Sequence, residues 1–406
     1  MDVKHARRLA LHGHGLLQKE PFGRGIKAVQ RAIEQIHYVQ IDTISVVSRA
    51  HHHVLKTRVP NYSPGMLHKL QAEEQSIFEY WSHAAAYLPM KDYRYYLAMK
   101  RGYATKRKVD AKVRREVLNR IDTEGPQRSK DFEAEKGRKS NGWWDWKPAK
   151  LALEILFLSG ELMIKERQNF QKVYDRTDNV LPDHVDVSLP SPIETGKFYV
   201  RGMLGNLGIA QARDIAYARP TVTRFNAGNI QPLIDDALLE LTESGEVEKF
   251  EFLNKTHYCL SESLDDCPKR INNKRITFLS PFDNLIINRR RLSELFKFDY
   301  LLECYVPENK RKFGYFTLPI LFGSDVIGRL DAKANRKTKT LQINNLWLES
   351  KTKLDDELIE ALATSLISFQ QDLDCIAIKI TNMAVPKMKK IVQQKLNSKS
   401  QLIETI

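Results

Sequence analysis

The pattern L-x-x-S-G-E occurs twice, at Leu156-Phe157-Leu158-Ser159-Gly160-Glu161 and at Leu241-Thr242-Glu243-Ser244-Gly245-Glu246, followed in each case by an aliphatic residue, Leu162 or Val247. Upstream of each copy, apolar residues recur at helical spacing, over Pro148 to Leu158 and Pro232 to Leu241. A glycine then ends each helix, because it adopts the left-handed C-cap conformation without a Cβ clash. Charged, strand-like segments follow, residues 162–175 and 247–260. Helix, glycine and β-ribbon in that order is how a winged helix reads in sequence. Its last helix can enter a major groove while the ribbon reaches the neighbouring phosphates. Two copies predict tandem winged helices of about 80 residues each.

Charge agrees with a polyanionic partner. Lys plus Arg number 64 against 50 Asp plus Glu, a net charge of +14, and the pI is near 9.4. The length, 406 residues, predicts roughly two to four domains. A mean hydropathy of −0.44 belongs to a soluble globular chain. No apolar run approaches the ~18 residues of a membrane span, and the N-terminus lacks the apolar segment of a signal peptide. A cytoplasmic protein that does not engage a membrane is expected. Cys259, Cys267, Cys304 and Cys375 form no C-x-x-C pair, so neither a zinc ribbon nor a disulfide framework is predicted. Adjacent side chains of His51-His52-His53 point in different directions and no second ligand cluster accompanies them. They are read as part of a basic loop, and no metal or cofactor is expected.

The first repeat copy carries the features of a DNA-binding module: Trp143, Trp144, Lys147 and Lys150 near its helix, and Lys165, Arg167, Asn169, Lys172 and Arg176 on its ribbon. The second ribbon, Glu246 to Glu251, is acidic and reads as a scaffold or interface module.

Ahead of the repeats lie helical patterns over residues 5–18 and 26–36, then His37 to Val47, rich in β-branched and aromatic residues and read as a strand. Alternation would turn Gln40 and Asp42 to one face and Val39 and Ile41 to the other, so an amide and a carboxylate stand side by side. Arg49, Lys56 and Arg58 add positive charge nearby. A boundary is expected near 110–125, with Ser129 capping a short helix beyond it. From Arg275 to Leu348 the pattern becomes strands and turns. Arg329, Asp331 and Lys333 share one strand face, and Asn335 to Lys339, including Arg336, form a basic turn. A helix over 354–371, a strand over 376–380 and a poorly ordered Lys-rich tail from Met388 complete the chain.

Several runs together resemble the YcaQ family of crosslink-repair DNA glycosylases, the relatives of AlkZ. They are Val39 to Ile44, Tyr80-Trp81-Ser82-His83, Gly142 to Pro148, Arg167-Gln168-Asn169-Phe170, Ser280-Pro281-Phe282-Asp283, Leu302-Glu303-Cys304-Tyr305, Phe313-Gly314-Tyr315-Phe316 and Asp331-Ala332-Lys333. The family's active pair is a Gln followed two residues later by Gln or Asp. Gln40 and Asp42 fall on those positions, so the chain is similar to the Q-x-D branch. Where the family pattern places an acidic residue after Trp-x-His, this chain has Ala84.

The resemblance implies an α+β fold of three tandem winged helices and a β-barrel-like C-terminal module. The corresponding ranges are 1–110, 111–185, 186–262 and 263–385, with a basic tail at 386–406. It also implies excision of N-alkylated bases and unhooking of interstrand crosslinks by a monomeric bacterial enzyme, associated with the nucleoid when on double-stranded DNA. An N7-alkylguanine already carries positive charge and departs without a general acid, so one carboxylate and one amide suffice. Asp42 would stabilise the oxocarbenium-like sugar and accept a proton from water that Gln40 orients, with Arg49 or Arg58 favouring the anionic carboxylate. Arg49, Arg58, Trp143, Trp144, Lys147, Lys150, Arg167, Asn169, Arg329, Lys333 and Arg336 are the expected DNA contacts. A non-enzymatic tandem winged-helix regulator is the competing class.

Overall fold

In the computed structural model, which describes residues 1–132, 146–218, 228–269, 275–383 and 386–403, one connectivity recurs along the first two thirds of the chain. Helix α1 (Val3–Gly13) precedes the first instance. There, α2 (Ile26–Ile36), β1 (Val39–Gln40), α3 (Ala50–Lys56) and α4 (Pro64–Ala72) lead into the hairpin β2 (Ile77–Trp81) and β3 (Ala85–Pro89), with sheet order β1-β3-β2. Helix α5 (Leu97–Lys106) links to the second instance. It comprises α6 (Ala111–Glu124), β4 (Gln127–Arg128), α7 (Trp146–Ser159) and the hairpin β5 (Leu162–Gln168) and β6 (Gln171–Arg176), with sheet order β4-β6-β5. In the third, α8 (Pro192–Leu207), α9 (Ala212–Ile215) and α10 (Gln231–Glu243) precede the hairpin β7 (Val247–Phe252) and β8 (Lys255–Leu260). Its first strand is reduced to a single bridge, Ala210 to Tyr258.

Both repeat copies form the helix, glycine stop and β-hairpin that their spacing predicts. Gly160 and Gly245 end α7 and α10 at φ +88° and +77°, conformations that a Cβ would strain. Asp110 caps α6 by accepting from Lys112 N and Val113 N. The expected boundaries do not separate independent cores, however. One apolar cluster runs from Tyr38 and Phe78 through Val117 and Leu153 to Ile234 and Leu260.

Beyond β9 (Ile276–Phe278), α11 (Asn284–Ile287) and α12 (Arg289–Phe296) pack under α1, around Leu9, Leu292 and Phe296. Strands β10 (Thr317–Phe322), β11 (Asp325–Asn335) and β12 (Thr340–Leu348), helix α13 (Asp356–Asp372) and strand β13 (Ala377–Ile380) follow. The sheet is open, with order β13-β12-β11-β10-β9, and curls as a half-barrel rather than closing. A register shift between Asp331 and Ala332 bends β11.

The Lys-rich end differs from expectation. It forms helix α14 (Pro386–Ile403) and buries Met388, Val392 and Leu396 in the core of the C-terminal sheet. Those three residues recur every fourth position, one face of a helix, so burial of that stripe outweighs the tail's charge.

Candidate active site

The expected strand from His37 to Val47 is only two residues long, β1, extended by a bond from Ile41 N to Ala85 O. Gln40 pairs with Ala86 and is 7% exposed, and its Oε1 has no hydrogen-bond partner among the described residues. After Ile41 the chain leaves the sheet. Asp42 therefore does not share a strand face with Gln40, as alternation had suggested. It makes a turn in which its Oδ1 accepts from Ile44 N at 2.8 Å. The reason is tertiary: Ile44, Val46, Val47 and Ala50 are drawn into the core of the C-terminal sheet. Ala334 N donates to Val46 O at 3.1 Å, and Arg336 Nη2 donates to Ser45 Oγ at 2.9 Å. The segment carrying the pair is thus stitched across the seam between the first unit and β11.

Beneath this seam lies a buried polar brace that sequence reasoning missed. Arg58 is 0% exposed and grips Asp283, 225 residues away in sequence, through Nη1–Oδ2 at 2.7 Å and Nη2–Oδ1 at 3.0 Å. Its Nε donates to His14 O at 2.8 Å. The neighbouring Asn284 Nδ2 donates to Ile36 O and Tyr38 O, which fixes the approach to Gln40. Ser280-Pro281-Phe282-Asp283 was a recognisable run, but its partner could not be read from it. Arg58 is correspondingly neither a DNA contact nor a neighbour for Asp42, since its charge is consumed inside the protein.

Two further expected DNA contacts have internal roles. Arg329 is 5% exposed, donates to Asp299 O and Glu349 Oε1, and lies over the rings of Phe298 and Phe313. Residues of loop 298–313 thus cover the Arg329 side chain, which was expected to reach DNA. Arg167 forms a two-point pair with Glu79, Nε–Oε1 and Nη2–Oε2 both at 2.7 Å. Its guanidinium carbon also lies 4.6 Å from the Phe170 ring centroid, while that of Arg49 lies 4.2 Å away and His51 stacks on the same ring. The tip of the second hairpin is thereby held against the first unit beside the Asp42 turn. Lys150, Asn169, Lys333 and Arg336 are exposed, and Arg49 is half-buried. Trp143 and Trp144, and the side chain of Lys147, lie outside the described residues.

The three consecutive histidines belong to α3, not to a loop, and each finds a different partner: Phe170 for His51, Tyr62 for His52 and Phe278 O for His53. Burial, reinforced by neighbouring Arg49, pushes His52 down to about 4. His83 stacks on Tyr217 at 4.5 Å, and burial together with the Arg289 charge lowers its pKa.

Opposite the Asp42 turn, Glu303 accepts from the backbone N–H groups of Lys312, Phe313 and Gly314 at 2.8 to 3.0 Å. This folds loop 303–314 and leaves Tyr305 81% exposed. Burial raises the neighbouring Cys304 thiol, and the Asp42 charge adds to that rise. The four cysteines are free, with Cys259, Cys267 and Cys375 buried.

The profile of the family described as DNA glycosylase AlkZ-like matches residues 33–369. The chain belongs to this family. The matched span includes the Gln40–Asp42 segment, the second hairpin, the Arg58–Asp283 brace and β11. Among solved structures, Streptomyces sahachiroi DNA glycosylase AlkZ superposes with a TM-score of 0.61 over 94% of this chain and 100% of its own, at 13% identity. That likeness shows a shared fold. Family membership makes the chemistry that of a DNA glycosylase and the substrate DNA. No described helix is long and apolar enough to cross a membrane.

Proposed function

We propose that the protein is a monofunctional, monomeric DNA glycosylase of the Q-x-D branch that hydrolyses the N-glycosidic bond of N7-alkylguanines in duplex DNA and unhooks interstrand crosslinks. The three recurring units are read as winged helices, over residues 1–110, 111–185 and 186–262. Residues 263–385 are read as the sheet module that closes the site. The cell compartment that fits is a bacterial cytoplasm.

The observation that carries this reading is the state of the two side chains. Gln40 Oε1 is buried with no partner among the described residues. A buried acceptor left without a partner costs about 1–3 kcal/mol, so Gln40 favours a water or substrate donor at that point. The Asp42 turn uses Oδ1 and leaves Oδ2 without a hydrogen bond among the described residues. As the bond to a cationic base lengthens, positive charge grows on the sugar. The Asp42 carboxylate stabilises that charge and takes a proton from the attacking water, which Gln40 orients through its amide. Water adds to the sugar carbon, the base leaves with the bonding electron pair, and an abasic site remains.

Arg49, Lys150, Asn169, Lys333 and Arg336 are the side chains proposed to meet the phosphates or grooves. Incubation with a duplex containing one N7-methylguanine, followed by alkaline cleavage, tests the assignment. Wild type is expected to produce breaks, and Asp42→Asn to slow them by roughly 10²–10⁴-fold while duplex binding persists. Near-normal excision by Asp42→Asn would remove Asp42 from the chemistry.

A further inference from the structure

A cavity of about 660 Å³ opens beside the Asp42 turn, between Ile44–Val46, loop 308–315 and strands β11 and β12. Its size falls within the range of small-ligand pockets. At its wall stands Asp331, half-buried, whose Oδ2 accepts from Asn344 Nδ2 at 3.3 Å. Among the described residues Asp331 has no cationic partner within ion-pair distance. Burial raises its pKa, and the Glu303 charge adds to that rise. Gly314, at φ +123°, comes so close that a Cβ there would stand 2.5 Å from Asp331 Oδ2. Glycine therefore lets loop 303–314 close over the carboxylate. Next to it, Tyr315 presents its ring at 42% exposure, with Arg311 5.1 Å from the centroid. Glu308, Arg311 and Lys333 also line the cavity, and among the described residues neither cation lies within ion-pair distance of Asp331.

A half-buried carboxylate without a counter-charge is best met by a planar ligand that carries delocalised positive charge and two adjacent N–H donors. An N7-alkylguanine has both: its ring system is cationic, and N1–H and N2–H lie side by side. Adenine offers an acceptor at N1, which would face the carboxylate unfavourably. We propose that this cavity receives the damaged guanine, with the Asp331 carboxylate accepting from N1–H and N2–H and the Tyr315 ring stacking on the base. The inference rests on the glycosylase reading above and extends it to recognition of the base. Asp42 acts on the sugar; Asp331 selects what is attached to it.

Single-turnover excision from duplexes containing N7-methylguanine or N3-methyladenine, by wild type and Asp331→Asn, tests this. The near-isosteric amide can still accept from Asn344 but meets the two N–H groups with one acceptor and one donor. The ratio of guanine to adenine rates is expected to fall by about 10-fold or more, as loss of a two-point base contact does. An unchanged ratio overturns the proposal. Tyr315, being exposed, tolerates replacement: Tyr315→Ala is expected to slow N7-methylguanine excision about 10-fold and Tyr315→Phe to restore it, as stacking requires. Equal rates for Tyr315→Ala and wild type would also overturn the proposal. If wild type excises neither adduct, it is the glycosylase reading that fails, and titration calorimetry with 7-methylguanosine, whose ring keeps the positive charge that the free base lacks, then decides for the pocket. Binding to wild type that weakens about 10-fold in Asp331→Asn supports it, and no binding overturns it.

Discussion

The hairpins of the two repeat copies have the same local form and opposite fates. Each turns through two residues of positive φ, Asn169-Phe170 at +49° and +69° and Leu253-Asn254 at +51° and +57°, the arrangement that matches the twist of antiparallel strands. In the first, the tip is clamped: Phe170 lies against Arg49, Arg167 and His51, and Arg167 is tied to the buried Glu79. In the second, Leu253 at the tip is exposed, and Lys255 reaches Glu294 of α12 at 2.8 Å near the surface. Identical turns therefore become either a fixed part of the candidate site's surround or a lightly held edge. What differs is the socket, not the hairpin. The basic character of the first ribbon had suggested DNA contact throughout, yet its Arg167 charge is spent on holding the hairpin in place.

Breaking the first socket should have the largest effect. Arg167→Met leaves Glu79 buried without its cation and should lower stability by about 3 kcal/mol, read from urea unfolding. Lys255→Met, at the corresponding place in the second hairpin, should lower it by less than about 1 kcal/mol. If both cost the same, the two sockets are energetically alike and the contrast fails.

Acid should separate the sockets next. His52 is held down to about 4 by burial and Arg49, and His51 is also lowered by burial. Both stay neutral in the folded protein while the unfolded chain takes up protons below about 6.5. Stability present above pH 6.5 is therefore lost as pH falls towards 4. At Glu294, burial works to raise the pKa but is outweighed by Lys255 and Arg290, which bring it to about 2. Its contribution is complete above about 4.5 and disappears only as pH falls through 2. Amide exchange at pH 5 should show the first hairpin loosened relative to pH 7 and the second unchanged.

The tips provide a finer comparison. Phe170→Ala removes the ring that Arg49 and Arg167 share and should slow excision about 5-fold, with the hairpin still formed by circular dichroism. Leu253→Ala should leave stability within about 0.5 kcal/mol of wild type, as expected for an exposed side chain. A loss from Leu253→Ala as large as that from Phe170→Ala would show that the second tip is also engaged.

Much of the local architecture was legible in the sequence. Helix α2 matches its predicted span of 26–36, and α7, α10 and both hairpins fall where the repeated pattern places them. The first unit, around Gln40, reads in sequence only as a helix, a helix and a strand, and the pairing of β1 with β3 is visible only in the structure. The tail helix was legible too, in the spacing of Met388, Val392 and Leu396, but its lysines hid it.

Local periodicity, glycine stops and the composition of each segment determined where helices and hairpins form, because those choices depend on residues within a few positions of one another. The run from Val39 to Ile44 likewise marked the two side chains of the candidate site. Only the tertiary structure decided that Asp42 occupies a turn rather than a strand, that Arg58, Arg167 and Arg329 face inward, and that Asp331 opens into a cavity. Each of these depends on a partner far away in the chain: Val46 with Ala334, Arg58 with Asp283, Arg167 with Glu79, and Gly314 with Asp331. A charged side chain looks the same in sequence whether it meets solvent or a buried carboxylate, and packing alone chooses between them.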